Sequence, residues 1–384
     1  MKQLEIRRAK VVEGGIDLPK GFQFYCDKNV GLLLSETFST TVYQSAGNTL
    51  CGRSVAAAKN IGGKPTARAV LISNCGADVL QRGSRDRVTA RVNYASDRLG
   101  VPASELRPLF VGEVIKTADD EGAMESIFHC AKEVLAGKRS DMAAFSLPTH
   151  TCAVQFFLGD DYPCVLSGAV FFDKGCSASK RTVLLTTDIS IGDELLASAL
   201  EAQVKETFGL IGVSSSPNDG FMMLASGLAG NNKILDRDVE FSKFSKVLEY
   251  VLFELCRVTV CGYDTKDSID LQVVGARSKR LAWNVVQNAC VYFQLVGNDN
   301  GSLLGGLISC IGSSGAFPKK KLQIWLQAEK TKVLLLDDGK ILYLSEAYLQ
   351  ELFVSKNVSV IVDFHESNYG AGGWIKKGMQ KVLF

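Results

Sequence analysis

Apolar and polar positions along this chain fall into two kinds of run. Short apolar runs bounded by turn residues predict strands at 69–73, 153–158, 164–172, 182–187 and 221–225, and again at 269–274, 322–326, 332–336 and 359–364. Between them lie helical patterns. Leu196, Ala199, Leu200, Val204 and Phe208 recur at three- and four-residue steps over 193–208, and Gly209 comes next as a stop. The run 241–258 is longer and more apolar, which predicts a helix facing a core, and 85–99, 121–135 and 279–294 complete the set. Strands and helices mix without strict βαβ alternation, so the pattern predicts an α+β architecture.

The most polar, turn-rich breaks are 138–141 and 231–238. The second is the expected domain junction, dividing a main domain, 1–235, from a C-terminal domain, 236–384. No internal repeat or low-complexity segment is present. The basic run Lys319–Lys321 precedes a predicted strand and reads as its solvated approach.

Composition narrows the function classes. With 43 basic against 41 acidic side chains there is no electrostatic reason to expect nucleic acid or an anionic membrane as partner. The start lacks an apolar signal core, and no apolar run approaches the roughly 20 residues that span a bilayer. Eleven scattered cysteines with no C-x-x-C pair predict reduced, mostly buried thiols and a cytoplasmic protein. His129, His150 and His365 sit at no ligand spacing, so neither a metal nor any other cofactor is expected.

The Gly-rich stretches 227–230 and 297–306 lack both phosphate-loop patterns and read as turns or close backbone packing. His150, in LPTHT, is the one histidine expected in a polar, small-residue loop, where it is a candidate base for a Ser-His-Asp arrangement. More specific is 184–230 taken whole: an apolar strand ending in Thr-Thr-Asp with Asp188 placed to cap the next element, a helix, a polar loop with Asn218-Asp219, a strand and a Gly turn. This run resembles the ornithine acetyltransferase family, the bifunctional glutamate N-acetyltransferases of arginine biosynthesis. DLPKGFQFYCDKNVGLLLSE is similar to that family's opening segment and VLISNCGADV to its early buried strand. SIDLQVVGARSKRLAWNVVQN, SLLGGLISCIGSSG and ESNYGAGGWIKKG come after them in the family's order.

The resemblance implies a layered α/β/β/α sandwich with a smaller C-terminal α/β domain. It also implies transfer of an acetyl group from N-acetylornithine to glutamate, and possible homo-oligomerisation. Such proteins cut their own backbone before a threonine, whose hydroxyl becomes the nucleophile and whose freed α-amine serves as base. A Thr-Gly pair holds the developing oxyanion. Carried over, the implied substrate-binding residues are Thr149, Thr151, Lys174 and Asn218.

The catalytic segment departs from the pattern. Val111-Gly112 stands at the Thr-Gly position, leaving Gly112 without its hydroxyl neighbour; one such donor is typically worth about 3 kcal/mol. Tyr263 replaces a substrate-facing glutamate, Leu303 to Gly306 replace Asn-Trp-Gly-Arg, and the sequence ends at Phe384 without the family's terminal asparagine and threonine. About five residues are missing after Lys174, and Lys180 falls at the nucleophile's distance from Thr-Thr-Asp. Thr182 lies two residues later, a slip of almost 7 Å along a strand. Thr182 and Cys176, with Ser177 and Ser179 beside them, are the candidate replacement nucleophiles. Two expectations therefore stand: an acyltransferase rebuilt around Thr182 or Cys176, or a catalytically silent homologue that binds ligand or pairs with an active relative.

Overall fold

The computed structural model describes residues 6–45, 50–60, 65–75, 79, 83–111, 119–146, 149–159, 161–171, 182–210, 219–261, 268–295, 302–342, 344–355, 357–376 and 382. It divides into two compact units. One comprises 4–206 and 214–255, the other 256–384 with 207–213 and the first three residues. The expected junction at 231–238 runs within the first unit, where the Asn231 side chain accepts from the Ser190 amide and donates to the Ser190 carbonyl.

The first unit opens with β1 (Lys10–Val12), β2 (Phe22–Asp27), β3 (Val30–Ser45), α1 (Arg53–Asn60), β4 (Thr66–Ser73) and α2 (Ser84–Leu99). It continues through β5 (Leu106–Phe110), α3 (Asp120–Leu135), β6 (Thr149–Leu158), β7 (Tyr162–Phe171), β8 (Thr182–Thr187), α4 (Asp193–Glu206), β9 (Gly220–Ala225) and most of α5 (Val239–Cys261). Its sheet runs β1-β6-β7-β8-β9-β3-β4-β5, with β2 also on β3. The long β3 turns this sheet into two layers. Its first half pairs with β2 and β4, its second half with β9, and the register breaks between Leu34 and Ser39.

Phe171, Leu184, Met222 and Leu224 from β7–β9 share one apolar core with Phe22, Phe24, Val70, Ile72 and Leu109 from β2, β4 and β5. The outer face of β3–β5 packs Leu32, Leu71 and Phe110 on Val88 and Ala95 of α2 and on Ile127 and Val134 of α3. On the far side α4 lies against β3 and β9. There α5 seats on Gly168, where a Cβ would fall 2.6 Å from Leu185 Cδ2 and 2.8 Å from Leu255 Cδ1. The result is the expected α/β/β/α sandwich. Gly168→Ala should therefore cost about 1–3 kcal/mol by displacing the Leu185 and Leu255 side chains; a thermal midpoint equal to wild type would show that they yield without loss.

The second unit holds β10 (Ser268–Ala276), α6 (Lys279–Leu295), α7 (Leu303–Ser313), β11 (Gln323–Ala328), β12 (Thr331–Asp337), β13 (Lys340–Ile341), α8 (Glu346–Phe353), β14 (Val358–Asp363) and β15 (Tyr369–Lys376). Its sheet order is β13-β12-β11-β14-β10-β15, mixed parallel and antiparallel. This is the expected α/β domain. The Gly-rich β15 is tucked beneath α6, since a Cβ on Gly373 would meet Val286 Cγ1 at 2.5 Å and Cys290 Sγ at 2.9 Å.

Some local expectations are corrected. The stretch 303–306 is the start of α7, not a turn, because Ser302 Oγ accepts from the Gly305 amide and caps it. Gly306 does carry close packing, against Phe293. Gly227 and Gly230 sit in a turn with φ of 77° and 89°, as expected. Asp188 does not cap α4, which begins at Asp193; its carboxylate is used elsewhere. His150 lies in β6 and not in a loop. Lys319–Lys321 form an exposed 3-10 turn before β11, as expected. Cys26, Cys75, Cys130, Cys152, Cys164, Cys256, Cys290 and Cys310 are buried, Cys51 is exposed, and all nine are free thiols. Burial pushes the thiols of Cys130, Cys164 and Cys290 up to about 12, which makes them packing groups and not nucleophiles. No described helix is long and apolar enough to cross a membrane.

Candidate active site

The strand register aligns the predicted residues at one end of the sandwich. Thr149 of β6 pairs with Phe171 of β7, Phe171 with Thr182 of β8, Thr182 with Gly220 of β9, and Gly220 with Ser45 of β3. Paired residues point to the same face, so this row looks into the space between the two sheet layers. One step inward lies a second row: Thr151, Ala169, Leu184, Met222 and Tyr43. Thr149 and Thr151 are thus on the Thr182 face, about two strand spacings or ~10 Å away.

His150 is not. It pairs with Val170, whose face carries Gly168 against α5, so the sheet itself separates its imidazole from Thr182. His150 is therefore not placed to act as a base for Thr182. Thr182 is the first residue of β8 and only 3% exposed.

Side-chain ties bring the β4 and β5 ends to the same place. The Phe145 ring stands edge-on to Phe171 at 5.6 Å. The next residue, Ser146, accepts at Oγ from Asn74 Nδ2 (2.9 Å) and donates to Asn29 Oδ1 (2.8 Å). Asn74 follows β4, and beside it the Val111 amide donates to the Ser73 carbonyl. Val111 packs its methyls into the same apolar cluster as Phe145 and Phe171. The position where the family resemblance asks for a hydroxyl is therefore committed to the core. Gly112, Lys174, Cys176 and Asn218 lie outside the described residues, although Val111, Phe171, Thr182 and Asp219 flank them in sequence.

The far end of β8 is locked. Asp188 is 1% exposed, and its carboxylate accepts from the Val165 amide (2.8 Å) and the Lys20 amide (3.3 Å). Burial raises its pKa against these bonds. Thr187 Oγ1 donates to the Val165 carbonyl and Thr186 Oγ1 to the Ile16 carbonyl. The Thr-Thr-Asp motif thus fixes the register of the strand whose other end presents Thr182. Sequence reasoning missed Tyr43 and the Asn29–Asn74–Ser146 tie, because neither has a local motif.

A family model for the ArgJ family matches residues 19–376. The chain belongs to the ArgJ family. This is the ornithine acetyltransferase family that the sequence motifs resemble, and all of those motifs but the edges of the first and last fall inside the match. Relatives of this ArgJ-family chain carry the names arginine biosynthesis bifunctional protein ArgJ and glutamate N-acetyltransferase. The ArgJ protein of Lactococcus lactis is 23% identical over 383 residues, 94% of each chain. That of Caldanaerobacter subterraneus is 30% identical over 196 residues, so the chain spans about half the length of that relative (48%) and matches with 49% of its own. The crystal structure of ArgJ from Bacillus halodurans is 26% identical, with 50% of this chain and 92% of that chain covered at a TM-score of 0.41.

Proposed function

We propose that this ArgJ-family protein keeps a binding site for the N-acetylornithine and glutamate class of ligand at the Thr149–Thr182 end of the sandwich, and has lost the self-cleavage that starts acetyl transfer. It then acts in arginine biosynthesis as a ligand-binding or assembly partner, alone, as a homo-oligomer or with an active relative. The reading rests on the enclosure of Thr182, laddered on both sides and 3% exposed. An attacking hydroxyl must come within about 3–3.5 Å of its carbonyl along an open approach. The apolar packing of Val111 adds to this, since the hydroxyl of the Thr-Gly pair is replaced by a core side chain.

One observation favours a second reading, an acyltransferase rebuilt on Thr182: that residue heads β8 on the same face as Thr149 and Thr151. Intact-mass spectrometry of the protein incubated with N-acetylornithine and glutamate separates the two. A single uncut chain without an acetyl adduct is expected. Fragments from a cut within 174–182, or an acetyl group on Thr182 or Cys176, would replace the first reading by the second.

A further inference from the structure

Tyr43 stands in the second row, opposite Met222, and its ring leans along β3 toward the Thr182 row. A Cβ on Gly220 would overlap the Tyr43 hydroxyl and come within 3.0 Å of ring carbon Cε2. The phenol therefore occupies the space that the missing Gly220 side chain leaves. Since Gly220 is the direct register partner of Thr182, that space is about 5 Å from the Thr182 Cβ.

Other hydroxyls around this interior are engaged within the protein. Ser35 and Ser39 bond each other, Thr41 Oγ1 donates to the Ser39 carbonyl, and Thr186 and Ser167 reach the carbonyls of Ile16 and Gly15. The Tyr43 hydroxyl has no hydrogen bond to a described residue, and its half-buried side chain packs against the core between the layers.

We propose that Tyr43 is a ligand-binding residue of this site, its hydroxyl donating a hydrogen bond to the amide carbonyl oxygen of an N-acylated amino acid held at this end of the sandwich. This rests on the ligand class given under Proposed function. The donor stands in for the hydroxyl that Val111 lacks. Burial, followed by the nearby Asp219 and Cys51, raises the phenol's pKa, so the group remains a donor across the neutral range. Asp219, 2% exposed, also makes the spot a poor one for a carboxylate and a suitable one for a neutral carbonyl.

Titration calorimetry of the full chain with N-acetyl-L-ornithine and L-ornithine tests this, on wild type and Tyr43→Phe. The variant should bind N-acetylornithine about tenfold more weakly and ornithine within about twofold of wild type, because only the first ligand has the carbonyl. Equal loss for both ligands, or no loss for either, overturns the assignment of Tyr43 and leaves the binding reading standing. Failure of wild type to bind N-acetylornithine overturns that reading and this one with it. A 3-fluorotyrosine at position 43 gives a readout free of folding effects: its ¹⁹F signal should shift with N-acetylornithine and not with ornithine, and a shift with both or neither overturns the proposal.

Discussion

Asp188→Ala should lower the unfolding free energy by about 2–4 kcal/mol. The substitution strands two backbone donors, the Val165 and Lys20 amides, in a site where Asp188 is 1% exposed. Each unsatisfied buried donor costs roughly 1–3 kcal/mol. Urea denaturation measures the loss, and a change below about 1 kcal/mol would mean that water or another acceptor takes over both bonds. The pH dependence has a definite sign. Burial raises the Asp188 pKa above the ordinary 3.8, so the folded state holds the proton more tightly than the unfolded chain. The resulting contribution is full below pH 3.8 and fades as pH rises through the folded value. Asp188→Asn removes this titration, so the stability of wild type relative to Asp188→Asn should increase on acidification through that window.

Phe171→Ala should cost about 3–5 kcal/mol, the range for emptying a fully buried aromatic site. Phe171 is 1% exposed and lies between Thr149 and Thr182 in the first row, with the Phe145 ring edge-on to it. It stands between the two threonines in the row, so the variant should also weaken N-acetylornithine binding in the calorimetric titration. A double-mutant cycle with Phe145→Ala should return a coupling of about 0.5–1.5 kcal/mol for the ring pair. Zero coupling would mean that the ring pair adds nothing to the tie between the two sheet layers there.

Much of the fold is legible in local pattern. The strand Thr182–Thr187 and the start of α6 at Lys279 are predicted at their observed bounds, because fully buried strands read as continuous apolar runs and amphipathic helices repeat every three to four residues. The segment VGLLLSETFSTTVYQS gives no sign of being the 16-residue β3. Its two halves serve different layers, with the register break at Leu34–Ser39 between them, so no single alternation runs through it. Tyr43 lies in its second half and is invisible for that reason. The Gly-rich 366–378 gives no strand signal either, since the glycines of β15 admit α6 and carry no hydrophobic period.

By itself the sequence determined the family, the α+β class and the residues to ask about: Thr149, Thr151, Thr182, Val111 and the shortened 174–182 segment. Motif order and apolar runs are properties of the chain read along its length, and each of these conclusions is of that kind. Only the tertiary structure decided which of those residues share a face. It put Thr149, Thr151 and Thr182 together, sent His150 to the opposite side of the sheet, turned Val111 into the core and placed a tyrosine over Gly220. Facing depends on register between strands distant in sequence, where a shift of one residue would reverse every side chain. Here that register is held by buried bonds such as those of Asp188, which no local pattern announces.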